Sequence, residues 1–148
     1  MKKGFSLLTA ILFLVVVATL SMIALSLSTQ SAKQTTDDYL KVQAELLAKS
    51  GTEFALLAMS GHNYNANCLN SIDIKYPTNN TTTYTHDINI TIHYIGNGLP
   101  TGCNTYTNAN NIITADSNRT VIIDTIVTTN PSIATEPIRL HRRTIQKP

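Results

Sequence analysis

From Phe5 to Leu27 the chain runs 23 residues without a charged side chain. Coiled as a helix, that run measures about 35 Å, against about 30 Å for the hydrocarbon core of a bilayer. It is long enough to span a membrane. A cleaved secretory signal has an apolar region of about 7–15 residues, so the run is longer than an ordinary export leader. The small residues Ala24, Ser26, Ser28 and Ala32 do resemble an A-x-A cleavage site, and a removed signal stands as the second reading. Lys2 and Lys3 precede the run, which places the N-terminus on the cytoplasmic side and everything after Leu27 on the other.

Once that run is set aside, a chain of 148 residues leaves about one small domain. The formal charge is +2, but Lys2 and Lys3 are 2 of the 11 basic residues, so the rest carries 9 basic against 9 acidic groups. A neutral body rich in Asn and Thr gives no electrostatic case for nucleic acid or for an acidic substrate. No Ser-His-Asp order and no nucleophile-elbow motif points to an enzyme, and no CxxC pair points to a metal.

Beyond the apolar run, Leu40, Ala44, Leu47, Gly51, Phe54, Ala55 and Ala58 recur at spacings of three and four, the stripe of an amphipathic helix. No proline lies between Met1 and Tyr76, and the helical stretch contains only Gly4 and Gly51 as glycines. Nothing forces a break. The expectation is one helix from Phe5 to Ser60, with Gly61 as its C-terminal cap. Lys41, Glu45, Lys49 and Glu53 alternate in sign at four-residue steps, a solvated face worth a few tenths of a kcal/mol per pair.

After Gly61 the period changes from 3.6 to two. His86–Ile95 is the clearest strand, with Ile88, Ile90, Ile92 and Tyr94 on one face and Asn89, Thr91 and His93 on the other. Arg119–Thr128 puts Val121, Ile123, Thr125 and Val127 on one side, and Ile138–Ile145 turns Ile138 and Leu140 inward. A polar connector over 62–84 holds a short strand at Ile72–Tyr76. An antiparallel sheet with one apolar face and a helix with one apolar stripe require each other. The fold class expected is α+β, a long N-terminal helix packed on a small antiparallel sheet.

The stretch "KKGFSLLTAILFLVVVATLSMIALSLS" resembles the N-terminus of type IV pilin-like proteins, which include type IV pilins and the pseudopilins of type II secretion. The matching elements are a short basic leader, Gly4, Phe5, and an apolar helix that continues into an amphipathic one ahead of a small sheet. The resemblance implies that a prepilin peptidase reads Lys2 and Lys3, cuts between Gly4 and Phe5, and methylates the new N-terminal Phe5. It implies assembly with other pilin-like subunits on an inner-membrane secretion or pilus platform, through Phe5, Thr9, Leu14, Val15, Val16, Val17 and Leu20. The segments implied are a leader (1–4), an assembly half of the helix (5–27), an amphipathic half (28–61), and a periplasmic sheet region (62–148).

The family has a glutamate at the fifth position after the cut, where this chain has Thr9. A carboxylate there pairs with the terminal ammonium of a neighbouring subunit, and Thr9 cannot. Its hydroxyl can instead bond back to the carbonyl of Phe5. The family's mid-helix proline is also missing, with Ser26 in its place. By resemblance this chain is cast as a minor, initiating or capping subunit.

Cys68 and Cys103 are the only two cysteines, and both fall in loops on the far side of the membrane run. A disulfide is the natural reading in an oxidising compartment. Gly96, Gly98 and Gly102 are turn glycines, since their spacing is wrong for a phosphate loop. His86 and His93 point to opposite faces of one strand and are read as surface residues. Asp116, Ser117 and Asn118 resemble a fragment of a calcium loop, with too little charge to hold the ion. Arg139, His141 and Arg143 share one face of the last strand. They either touch DNA or protect an edge strand from aggregation, and the second reading is preferred.

Overall fold

The computed structural model describes residues 3–64, 67–79, 83–96, 99–106, 120–134 and 136–147. A single helix, α1 (Lys3–Ser60), is followed by four strands, β1 (Ser71–Tyr76), β2 (His86–Ile95), β3 (Thr120–Thr129) and β4 (Arg139–Gln146). The strands form one antiparallel sheet in the order β1-β2-β3-β4. The arrangement is the expected α+β one, consistent with a pilin-like fold. The chain divides into two compact units, Met1–Asp38 and Tyr39–Pro148.

In the second unit the helix stripe and the inner sheet face close a single core. Ala44, Ala48, Ala55 and Met59 of α1 meet Ile88, Ile90, Ile92 and Tyr94 of β2 and Val121, Ile123 and Val127 of β3. Each buried isoleucine or valine contributes about 1.5–3 kcal/mol. The alanines keep the helix backbone near the sheet, and at Gly51 the approach is tight. A methyl added there would lie 3.3 Å from Ile88 Cγ2 and 3.3 Å from Thr125 Cγ2.

A pair of threonines meets inside this core. Thr52 Oγ1 donates to the carbonyl of Ala48 at 2.9 Å, so its 3.2 Å bond with Thr125 Oγ1 is donated by Thr125. Both hydroxyls are satisfied, which permits two buried threonines in an apolar layer.

The buried stripe differs from the expected one in detail. Phe54 is 47% exposed, and Ala48, Thr52 and Met59 occupy the buried face instead. Position 54 lies about 100° around the helix from the centre of the buried stripe, so a bulky apolar residue there falls outside the face that meets the sheet. At the helix end, Gly61 N–H bonds the Leu57 carbonyl at 3.3 Å and His62 N–H the Met59 carbonyl at 3.2 Å. The helix therefore closes by tightening its last turn rather than through a left-handed glycine cap; among the described glycines only Gly96 and Gly102 have positive φ.

Strand boundaries differ by one residue. β1 begins at Ser71, pairing its full length with β2 from Ser71↔Thr91 to Tyr76↔His86. β3 extends to Thr129, and Arg119 lies outside the described residues. Ile138 stands outside β4 because its carbonyl and N–H close on Thr129, accepting from Thr129 N–H at 2.9 Å and donating to Thr129 Oγ1 at 2.9 Å. Leu140 packs against the core as expected.

Candidate functional site

In the first unit, every large apolar side chain from Leu7 to Leu27 is exposed; Leu14 is 68% and Leu20 61% exposed, with Val15, Val16 and Val17 alongside. This is the one helix among the described residues that is long and apolar enough to cross a membrane. Three of its hydroxyls bond back to the helix's own carbonyls. Thr19 Oγ1 donates to Val16 O at 2.9 Å, Ser21 Oγ to Val17 O at 2.8 Å and Thr29 Oγ1 to Ser26 O at 2.9 Å. In hydrocarbon no water competes for these hydroxyls, so back-bonding removes the penalty of burying them there.

Thr9 lies on the same exposed helix surface. For Lys3, Gly4 and Phe5 the helical backbone is described and the side chains are not, and Lys2 lies outside the described residues.

The second half of α1 carries a surface that sequence periodicity did not single out. Tyr39, Val42, Leu46, Phe54 and Leu57 are all exposed, on the side of the helix away from the sheet. They recur at steps of three and four, interrupted by Ser50. The signal was present in the sequence, but two apolar stripes on one helix cannot be ranked without knowing which one the sheet covers.

The cysteines are joined, Cys68 to Cys103, with Cα atoms 5.0 Å apart. The bridge ties the α1–β1 connector to the β2–β3 connection. Asn70 reinforces it, its Nδ2 donating to Gly102 O at 2.8 Å and its Oδ1 accepting from Asn104 N–H at 2.9 Å. Gly102 has φ +93° with open space around its Cα, as a turn glycine should. Gly98 and the fragment Asp116, Ser117 and Asn118 lie outside the described residues.

On the outer sheet face, β4 is an edge strand and Asp124 of β3 is buried beneath its side chains. Arg143 grips the carboxylate with both ends of its fork, Nε to Oδ1 at 2.7 Å and Nη2 to Oδ2 at 2.9 Å, and His141 Nε2 donates to Oδ1 at 2.8 Å. Bonding from Arg143 holds the Asp124 carboxyl below its usual range against the opposing effect of burial. Arg143 and His141 are thus committed within the fold, while Arg139 and Arg142 remain exposed. The cluster suits an edge strand that resists pairing with other chains.

Because the folded pKa of Asp124 is depressed, its contribution to stability is present above the unfolded value of 3.8 and is lost as pH falls through the folded value. Asp124→Asn is expected to cost about 1–2 kcal/mol at pH 7 and to flatten the loss of stability between pH 5 and 2. Urea midpoints measured across that range test it, and parallel acid limbs in both proteins would count against the cluster.

His86 corrects the surface reading. Its side chain is fully buried, with Nε2 3.2 Å from Leu40 O and Nδ1 3.0 Å from Thr85 Oγ1. It sits on the inner face with Ile88 because the alternation of β2 begins two residues before its first isoleucine. His93 does lie on the opposite face. Among the described residues no group of three or more His, Cys, Asp or Glu is placed to hold a metal.

No protein-family model, curated protein or solved structure matches this chain.

Proposed function

We propose that this chain is a minor pilin-like structural subunit, cut after Gly4 by a prepilin peptidase, methylated on Phe5, and assembled by helix packing into a type II secretion pseudopilus or a type IV pilus. The observation that carries the reading is the exposed apolar surface of α1 ahead of a disulfide-bonded helix-and-sheet unit. A surface of that size has two partners of matching chemistry, lipid before assembly and the same surface of sister subunits after it. Tyr39, Val42, Leu46 and Leu57 give the second unit an exposed apolar surface of its own.

In this reading the chain waits in the inner membrane with its disulfide-bonded unit in the periplasm. Thr9 carries no charge into the apolar layer and forms no ion pair with a neighbour, which suits a subunit at the start or tip of a fibre. The chemistry is mechanical rather than catalytic.

Mass spectrometry of the mature protein tests processing. The expected chain begins at N-methylated Phe5 and has 148 − 4 = 144 residues. A mature N-terminus at Leu27 or beyond, or one that retains Met1, sinks the proposal in favour of a secreted or simply anchored protein.

A further inference from the structure

Asn89 is the one exposed residue of β2, a strand that buries His86, Ile88, Ile90, Ile92 and Tyr94 and leaves the others half-buried. It stands at the centre of Asp87-Ile88-Asn89-Ile90-Thr91, whose last three residues have the N-x-[ST] form of an N-glycosylation acceptor. Four such triplets without a central proline occur, at Asn79, Asn80, Asn89 and Asn118, and with 14 asparagines and 32 serines and threonines about three arise by chance. A stricter acceptor signal adds an acidic residue two places before the asparagine. Six aspartates give about 0.1 such pentapeptides by chance, and the chain holds two, beginning at Asp87 and at Asp116. The second falls largely outside the described residues.

We propose that Asn89 is an N-glycosylation site, which takes an oligosaccharide from a polyprenyl-diphosphate donor before β2 is built into the sheet.

The alternation of β2 puts Asp87, Asn89 and Thr91 on the outer face together, and Thr91 Oγ1 donates to Asn89 Oδ1 at 3.5 Å. Asn89 Nδ2 donates to Asp73 Oδ1 at 2.5 Å, which uses one of its two hydrogens. A sugar takes the place of the other, so the bond to Asp73 survives the linkage. In the transfer, Nδ2 bonds the anomeric carbon of the oligosaccharide and the bond from that carbon to the diphosphate oxygen breaks. Polyprenyl diphosphate leaves with the electron pair, and the displaced amide proton passes to a carboxylate of the transferase.

Timing follows from the register. Asn89 lies opposite Asp73 on β1 and Ile126 on β3, so in the folded sheet the strand is held from both sides and cannot bend into an active site. Transfer therefore precedes strand pairing. The finished sheet has room for the product, because Asn89 is exposed on the face turned away from the core, beside half-buried Ile126. A bulky, water-seeking group belongs on such a face. The site rests on the sheet lying across the membrane from Lys2 and Lys3, the topology of the proposed function, but not on fibre assembly.

Peptide mapping of the full chain, purified from its native cells, tests it. Thiols are first alkylated to record the state of Cys68 and Cys103; the chain is then denatured and cut by chymotrypsin after Tyr84 and Tyr94, which separates Asn89 from Asn79, Asn80 and Asn118. The 85–94 peptide is expected to carry an oligosaccharide, and release by a glycan amidase to leave aspartate at position 89. Asn89→Gln and Thr91→Ala are expected to lose the glycan from this peptide, and Thr91→Ser to keep it. Occupancy is read on denatured chains, so a variant that misfolds still reports. An unmodified peptide with the disulfide closed overturns the proposal and leaves the topology standing, whereas an unmodified peptide with free thiols overturns both. A glycan attached to Thr85 or Thr91, or one that survives Thr91→Ala, also overturns it.

Discussion

Replacing Cys68 and Cys103 together by serine lowers the stability of the second unit by about 4 kcal/mol. The bridge closes a loop with a sequence separation of 35 residues, and the chain-entropy model converts that length into the stated loss by removing a constraint from the unfolded chain. Little of the effect should come from the folded side. Asn70 still clasps Gly102 and Asn104, and Tyr94 N–H still donates to Asn104 O at 2.7 Å. The double variant is therefore expected to keep the native circular dichroism spectrum and the native pairing of β1 with β2, while its urea midpoint drops. For a unit with so small a core, that loss takes much of a typical stability of about 5–15 kcal/mol. A change below about 1 kcal/mol would mean that the unfolded chain is already compact around these residues.

Gly51→Leu is the second large effect, a loss of about 3 kcal/mol. At Gly51 an added Cβ already meets Ile88 Cγ2 and Thr125 Cγ2 at 3.3 Å and Ile90 Cδ1 at 3.4 Å. Three further carbons have no space unless α1 lifts off the sheet. Gly51→Ala behaves differently, since alanine gains about 1 kcal/mol of helix propensity and asks its neighbours to yield by only a few tenths of an ångström. The two opposing effects leave Gly51→Ala within about 1 kcal/mol of the parent. Chemical denaturation of both variants checks the pair. A stable Gly51→Leu protein would show that the helix does not approach the sheet this closely.

The outer sheet face shows why some of the structure was not legible beforehand. Asp124 and Arg143 are 19 residues apart, and nothing in the local pattern of either strand announces that a carboxylate will be buried between them. The pairing exists because β3 and β4 align with Asp124 opposite Arg143, a register set by the turn after Thr129. His86 was misplaced for a related reason. A histidine at the head of an alternating strand has the polarity of a surface residue, and its burial is made tolerable by the hydroxyl of its neighbour Thr85 together with the carbonyl of Leu40, 46 residues away.

The exposed stripe of Tyr39, Val42, Leu46 and Leu57 makes the same point for the helix. Both stripes obey the helical period, and the sheet covers the one rich in alanine and glycine because a flat layer of isoleucines needs a smooth helix face to approach closely. Bulkier residues are left on the other side.

Sequence alone determined everything with a short repeat length: the apolar run through Leu27, the helical period to Ser60, the alternation of β2 and β3, the pairing of the two cysteines, and hence the α+β class. All but the cysteine pairing are set by backbone geometry acting on neighbours a few residues apart; that pairing follows from there being only two cysteines, both beyond the apolar run. Tertiary structure alone decided which stripe of α1 is covered, that His86 is internal, and that Asp124 is shared by Arg143 and His141. Those outcomes depend on groups brought together from distant positions, where burial makes a hydrogen bond obligatory for a polar atom that would otherwise be content in water.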